Sequence, residues 1–170
     1  MTIAVELQPV TEAPPAVQYR WDADTDIFTA TLAARGGAGE LSASVEIEGS
    51  DGSWLVLDLR GGRIVGVEVA LWPDVHRNSA LAAPAAPENA RVVVPLRAAS
   101  AAAPTTLEVE APMRAEADDA ERVVYFRIGD RREARSICLG SDLLVDVDRQ
   151  DRLAGLWLLN VPPFPVPTPP

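Results

Sequence analysis

A period of two dominates this chain. Leu41, Ala43, Val45 and Ile47 alternate with Ser42, Ser44, Glu46 and Glu48, so an extended backbone there presents one apolar and one polar face. Similar short runs occupy residues 16–21, 27–33, 53–60, 63–71, 90–97, 106–111, 122–128, 134–139, 142–148 and 152–160, punctuated by glycine, proline, aspartate and asparagine. No segment keeps an apolar stripe at helical spacing for three turns, and the chain is expected to be all-β. At 170 residues and 48% hydrophobic composition it has material for one domain with a real core, despite 15 prolines.

Two hairpins can be placed locally. Only Gly61 and Gly62 separate the run Leu55 to Arg60 from the run Arg63 to Val69, and a two-residue type I′ turn wants glycine because both positions need positive φ. The acidic cluster Asp22, Asp24 and Asp26 joins strands bearing Trp21 and Phe28, with side-chain-to-backbone bonds expected to shape the turn.

The first of these hairpins recurs. Leu57-Asp58-Leu59-Arg60-Gly61-Gly62-Arg63-Ile64-Val65-Gly66 returns as Val145-Asp146-Val147-Asp148-Arg149-Gln150-Asp151-Arg152-Leu153-Ala154-Gly155, with one extra residue in the turn. The expected fold is thus a duplicated antiparallel β-sandwich or partly open barrel with pseudo-twofold related halves, from repeats at about 16–72 and 105–161. An Ala/Pro-rich connector, 73–104, would add one edge strand at Ala90 to Arg97, since Pro95 removes a ladder donor. A Pro-rich tail, 162–170, would favour extended polyproline conformations, as an arm on its own domain or on a neighbouring chain.

Trp21-Asp22-x-x-x-Asp26-x-Phe28 and the Asp58 to Glu68 hairpin resemble the bacterial domain of unknown function family 2283, a short β unit opening Tyr-Asp-x-x-x-Asp-x-Leu and closing Asp-x-Asp-x-x-Gly-x-x-Val-Gly-Ile-Glu. The second copy is similar through Tyr125 to Asp130, Ala134 to Ser136 and Leu144 to Asp148. Arg60 stands where that family has its second Asp, and Trp157 where it has Glu. The resemblance implies a β fold in two diverged copies and brings no assigned activity.

Charge and composition narrow the partners. With 25 acidic against 15 basic residues the chain carries −10, the wrong sign for neutralising phosphates, so neither nucleic acid nor an anionic membrane is an expected partner. Nothing approaches the ~18 consecutive apolar residues of a membrane span. The opening stretch, Met1 to Ala16, has neither a basic start nor an apolar run, and the lone Cys138 has no disulfide partner. A soluble, cytoplasmic bacterial protein is expected.

Reactive constellations are sparse. His76, the sole histidine, follows Trp72-Pro73-Asp74-Val75 and is read as a loop residue, with base or ligand as the sharper alternative. Cys138 alternates with Ile137 and Leu139 as a packing residue on a strand. Asp22, Asp24 and Asp26 imitate a calcium loop but are followed by Ile27 and Ala33 where glycine and glutamate belong, and Asp146, Asp148 and Asp151 are read in the same way. Neither a metal nor a cofactor is expected. Arg127, Arg131, Arg132 and Arg135 form a basic cluster interleaved with Asp130 and Glu133, read as a solvated turn.

A hydrolase would need two converging carboxylates. With an uninterrupted two-residue hairpin Asp58 faces Val65 and Leu55 faces Glu68, which turns the two acids to opposite sides. Glu68 then falls on a leucine-lined face, at its rim or as the polar anchor of a pocket near Trp54. The same register leaves the hairpin apolar on both faces, which asks for cover from another chain, and a homodimer is expected. Trp72, Trp157 and Phe164 sit at or after the closing hairpins, as packing anchors or interface residues. The functional expectation is a non-catalytic assembly or binding module, then a small-ligand receptor with its pocket between the repeats, then a hydrolase using acidic residues.

Overall fold

The computed structural model describes residues 2–33, 40, 42–96 and 105–165. Among them are fourteen strands and no helix, so no helix is long and apolar enough to cross a membrane. The all-β expectation holds, and the strands form one curled, open sheet.

The sheet contains one pairing order twice. β2 (Val17–Trp21) lies antiparallel to β3 (Phe28–Leu32), β3 to β6 (Arg63–Leu71), β6 to β5 (Trp54–Arg60) and β5 to β4 (Ser42–Glu48), and β9 (Thr105–Glu110) runs parallel beside β4. The second series is β10 (Met113–Ala117), β11 (Val124–Ile128), β14 (Leu153–Leu158), β13 (Leu143–Asp148) and β12 (Ala134–Gly140), with β8 (Glu88–Val93) parallel beside β12. These two series are called the first and second half below. β7 (Val75–Arg77) flanks β10, and β1 (Glu6–Pro9) runs antiparallel along β8.

The halves bury one continuous apolar cluster, because each strand's period-two pattern supplies an inward face. Leu55, Leu57, Leu59, Val67, Val69 and Phe28 come from the first half, and Phe126, Ile137, Leu143, Val145, Leu156 and Leu158 from the second. Aromatic and polar contacts close the join. Trp72 lies 5.5 Å from Phe126 between ring centroids, the Tyr19 hydroxyl donates to the carbonyls of Asp142 and Leu159 at 2.6 and 2.8 Å, and Trp21 Nε1 donates to the Pro162 carbonyl at 2.9 Å. Burial in this join pushes the Tyr19 phenol well above its ordinary range, and the Asp142 carboxylate adds to the shift.

Three expectations are corrected. The Gly61–Gly62 turn forms with φ of 56° and 79° and pairs Arg60 with Arg63. A bulge between Asp58 and Leu59 then sets Leu59 opposite Ile64, Asp58 opposite Gly66 and Val56 opposite Glu68. The extra residue turns Glu68 to the outer face that carries Asp58 and sends Val67 and Val69 inward with the leucines. Asp58 and Glu68 therefore do not point apart, and the argument for a hairpin apolar on both sides loses those two valines.

The connector holds two strands, β7 and β8, and β8 is not an edge. It touches β12 at Glu88 and Asn89, β6 at Val93, and β1 along its other side, and it ends before Pro95. Three strands escaped the sequence pattern: β1 and β7 are short and mostly exposed, and β10 buries only Met113, Ala115 and Ala117, side chains too small to stand out as an apolar run. The stretch 97–104 and the end of the tail, 166–170, lie outside the described residues.

Candidate functional site

The passage of β8 from one half to the other opens a cleft. Past Asn89, β12 turns away, and β6 meets β8 only at Val93. β3 leaves β6 after Gly66. Three strands thus diverge around a hollow of about 600 Å³, walled by Leu32, Ile64, Leu139 and the Pro14–Pro15 segment, with Cys138 and Arg91 among its polar groups. Two further hollows exist. One of about 630 Å³ lies where Arg135 pairs with Asp151 at 3.5 Å and Arg149 with Glu133 at 2.7 Å; one of about 330 Å³ lies beside Ile3 and Arg132. The cleft differs from both in its place between the halves, with Leu32 and Ile64 on one side and Leu139 on the other.

Its chemistry is mild. Burial pushes the Cys138 thiol above its ordinary range, with the Asp142 carboxylate adding to the shift, so at neutral pH the sulfur is a protonated thiol; Sγ donates to the Gly140 carbonyl at 3.0 Å. Arg63 at one wall is committed to Glu40, its Nη2 lying 2.6 and 2.7 Å from the two carboxylate oxygens. Asn89 Nδ2 donates to the Glu12 carbonyl at 2.5 Å, fixing the segment before β2 against β8. Glu12 supplies the one carboxylate among the described lining residues.

The residues singled out from sequence lie elsewhere. Glu68 stands half-buried on the outer face between Val56 and Thr29, and Trp54 heads β5 opposite Glu48; neither lines the cleft, so the expected pocket at Glu68 and Trp54 is not where the hollow forms. The bulge that turned Glu68 outward is the reason. Trp72 and Phe164 are brought together through Trp21, 5.5 Å from the first and 5.0 Å from the second between ring centroids, and Trp72 Nε1 donates to the Asp26 carbonyl at 3.0 Å. His76 is exposed on β7, paired with Glu116. Trp157 packs against Tyr125 on the outer face of the second half, their rings tilted by 31° with centroids 4.3 Å apart.

That outer face holds a buried polar cluster. Ser136 Oγ and Trp157 Nε1 both donate to Asp146 Oδ1, at 2.6 and 3.1 Å. Burial, and then the Asp146 carboxylate, push the Tyr125 phenol far above its ordinary range. Asp148, also buried, accepts from the backbone N–H groups of Gln150 and Arg152 and from Nε of Arg132 and Arg152, at 2.7 to 3.0 Å. Burial alone would raise its carboxyl; these donors outweigh it and hold the group below the usual carboxylate range. The acids read as a metal-site imitation thus close a turn, and Asp22 does likewise by accepting from the Asp24 N–H at 3.0 Å. Among the described residues no three His, Cys, Asp or Glu side chains gather as a metal site.

Sequence reasoning took Cys138 for a packing residue and passed over Arg63, Ile64 and Arg91. The available signal was the apolar run at 90–97, whose place between the halves depends on contacts distant in sequence. No known protein family matches the chain, and no curated protein does.

Proposed function

We propose that this protein is a binding module that works without catalysis and takes its ligand in the cleft between the two halves. The observation that carries this reading is the cleft itself: about 600 Å³, inside the ~300–1000 Å³ span of small-molecule sites, with apolar walls and a few polar groups. A protonated thiol and a guanidinium already paired with a carboxylate suit recognition better than bond-making. The test is fluorescence titration with 8-anilinonaphthalene-1-sulfonate, before and after Cys138 is alkylated at pH 9 with a bulky maleimide. Binding to the untreated protein and its loss on alkylation are expected; equal binding by both forms sinks the proposal.

A duplicated origin, of the kind suggested by the likeness to family 2283, is part of the same reading. Its support is the recurring pairing order and one recurrent row: Ser44, Asp58 and Gly66 lie abreast in the first half, and Ser136, Asp146 and Gly155 in the second. Self-association is a second reading, favoured by Leu71 and Phe164, 56% and 42% exposed beside the Trp21–Trp72 stack. Light scattering that finds only a monomer-sized species at micromolar concentration would exclude it.

A further inference from the structure

We infer that Arg114 and Arg127, side by side on the outer face of the second half, form a binding site for a phosphate dianion, apart from the cleft and independent of its reading. The observation that points there is an unmatched guanidinium. Among the described residues three half-buried arginines have partners: Arg63 holds Glu40, and Arg132 and Arg152 share Asp148. Arg127 is half-buried as well, yet it makes no hydrogen bond or ion pair. Its Nε is shut away from solvent with no acceptor, while both Nη groups stay open to the surface. In a chain with 25 acidic side chains, an unpaired half-buried guanidinium is not forced by composition.

Strand pairing adds a second cation. Arg114 lies directly opposite Arg127 across β10 and β11, and such partners on one face stand about 5 Å apart at Cβ, where like charges repel. Arg60 and Arg63 also face each other at the Gly61–Gly62 tip, but there Glu40 holds Arg63. On its other side Arg127 has Gly155, which brings no side chain. Nearby acids are committed elsewhere: Asp146 accepts from Ser136 and Trp157, and Glu116 from Asn78 Nδ2 at 3.1 Å. Neither these nor Asp74, just before β7, forms an ion pair with the two arginines. The matching positions in the first half are Gln18 and Thr31, without charge, so the strand order does not demand the couple.

Two guanidinium groups match a dianion. A phosphate carries close to two negative charges at neutral pH and offers acceptor oxygens to forked donors from both sides. Guanidinium charge is delocalised, so an anion at the Nη edge also offsets the burial of Nε. A single carboxylate leaves one of the two charges unanswered. Tyr125, two residues along β11, and Trp157 opposite it give the site an aromatic flank, against which the organic part of a phosphate monoester can lie.

The experiment is isothermal titration of the full chain with phenyl phosphate and with inorganic phosphate, at pH 7.5 and constant ionic strength. Arg127→Gln and Arg114→Gln are titrated beside it, with Arg20→Gln, an exposed arginine on β2, as the control. Saturable one-to-one binding is expected, weakened about tenfold by either site substitution and unchanged in the control. Arg127→Lys keeps the charge and the apolar stem but loses the fork; it serves where Arg127→Gln does not fold, and should bind several-fold more weakly than the parent chain. Tighter binding of phenyl phosphate assigns a monoester as the ligand; equal or weaker binding assigns free phosphate. No saturable binding of either, binding that survives intact in both site variants, or an equal loss in Arg20→Gln overturns the inference.

Discussion

The two halves follow one pairing order and finish it with different chemistry. At the tip of the β5–β6 hairpin the first half places two glycines at positive φ. The β13–β14 hairpin has one more residue, puts Asp151 at φ 53° and ties the turn with the Asp148 carboxylate. On the outer faces the contrast continues: Asp58 stands exposed, whereas Asp146 is buried beneath hydrogen bonds from Ser136 and Trp157. The lesson is that a strand order needs only some means of closing each hairpin. Glycine does it by removing a steric penalty; aspartate does it by satisfying donors that the turn leaves free.

The comparison predicts unequal responses at matched positions. Asp148→Ala should have the largest effect, a loss of about 3 kcal/mol by urea unfolding, because it strands two guanidinium groups and two backbone donors around a site where the carboxylate is 3% exposed. At the tip of the first hairpin, Gly61→Ala should cost about 1 kcal/mol. If the two losses come out alike, the turns are not closed by different means.

Gly155→Ala comes next, at about 2 kcal/mol. A Cβ there would lie 2.6 Å from the Tyr125 hydroxyl and 2.9 Å from the Phe126 carbonyl, and backbone cannot yield cheaply. At the matching Gly66 a Cβ would meet Asp58 Oδ2 at 3.1 Å and the Ala30 carbonyl at 3.3 Å, so Gly66→Ala should lose less than half as much. A Gly66→Ala variant as damaged as Gly155→Ala would show that the first half's outer face is as tightly fixed as the second's.

Acid should also separate the halves. Asp148 is held below its ordinary range, so its contribution to stability is complete above the unfolded carboxylate pKa of about 3.9 and is lost as pH falls through the lower folded value. Asp58 is pushed up by desolvation, and the sign reverses: its ionisation is less favourable folded than unfolded, so stability falls as pH rises past that same ordinary value. Asp58→Asn should therefore gain a few tenths of a kcal/mol at pH 7, limited by solvent screening, and nothing at pH 3. Unfolding curves for both variants across pH 3–7 check this smallest effect, and a destabilised Asp58→Asn at pH 7 would contradict it.

How much could be read from sequence differs along the chain. Gly61–Gly62 was legible because the requirement for positive φ is local, and Leu41 to Glu48 because burial of one face needs only its own alternation; β4 runs over Ser42–Glu48 as that pattern demands. The bulge after Asp58 was not legible: Val65-Gly66-Val67-Glu68 satisfies either register, and the choice falls to contacts with β3. That one residue decided which side Glu68 faces, and with it where a pocket could not be.

By itself, then, the sequence determined the all-β class, the positions of most strands and both tight turns, since steric limits on φ and the two-residue pleat act within a few residues. Tertiary structure alone decided the path of β8 between the halves, the bulge in the first hairpin and the cleft where three strands part. Those features depend on which distant strands share hydrogen bonds and core, and several local registers satisfy the same stretch of chain until the whole sheet chooses one.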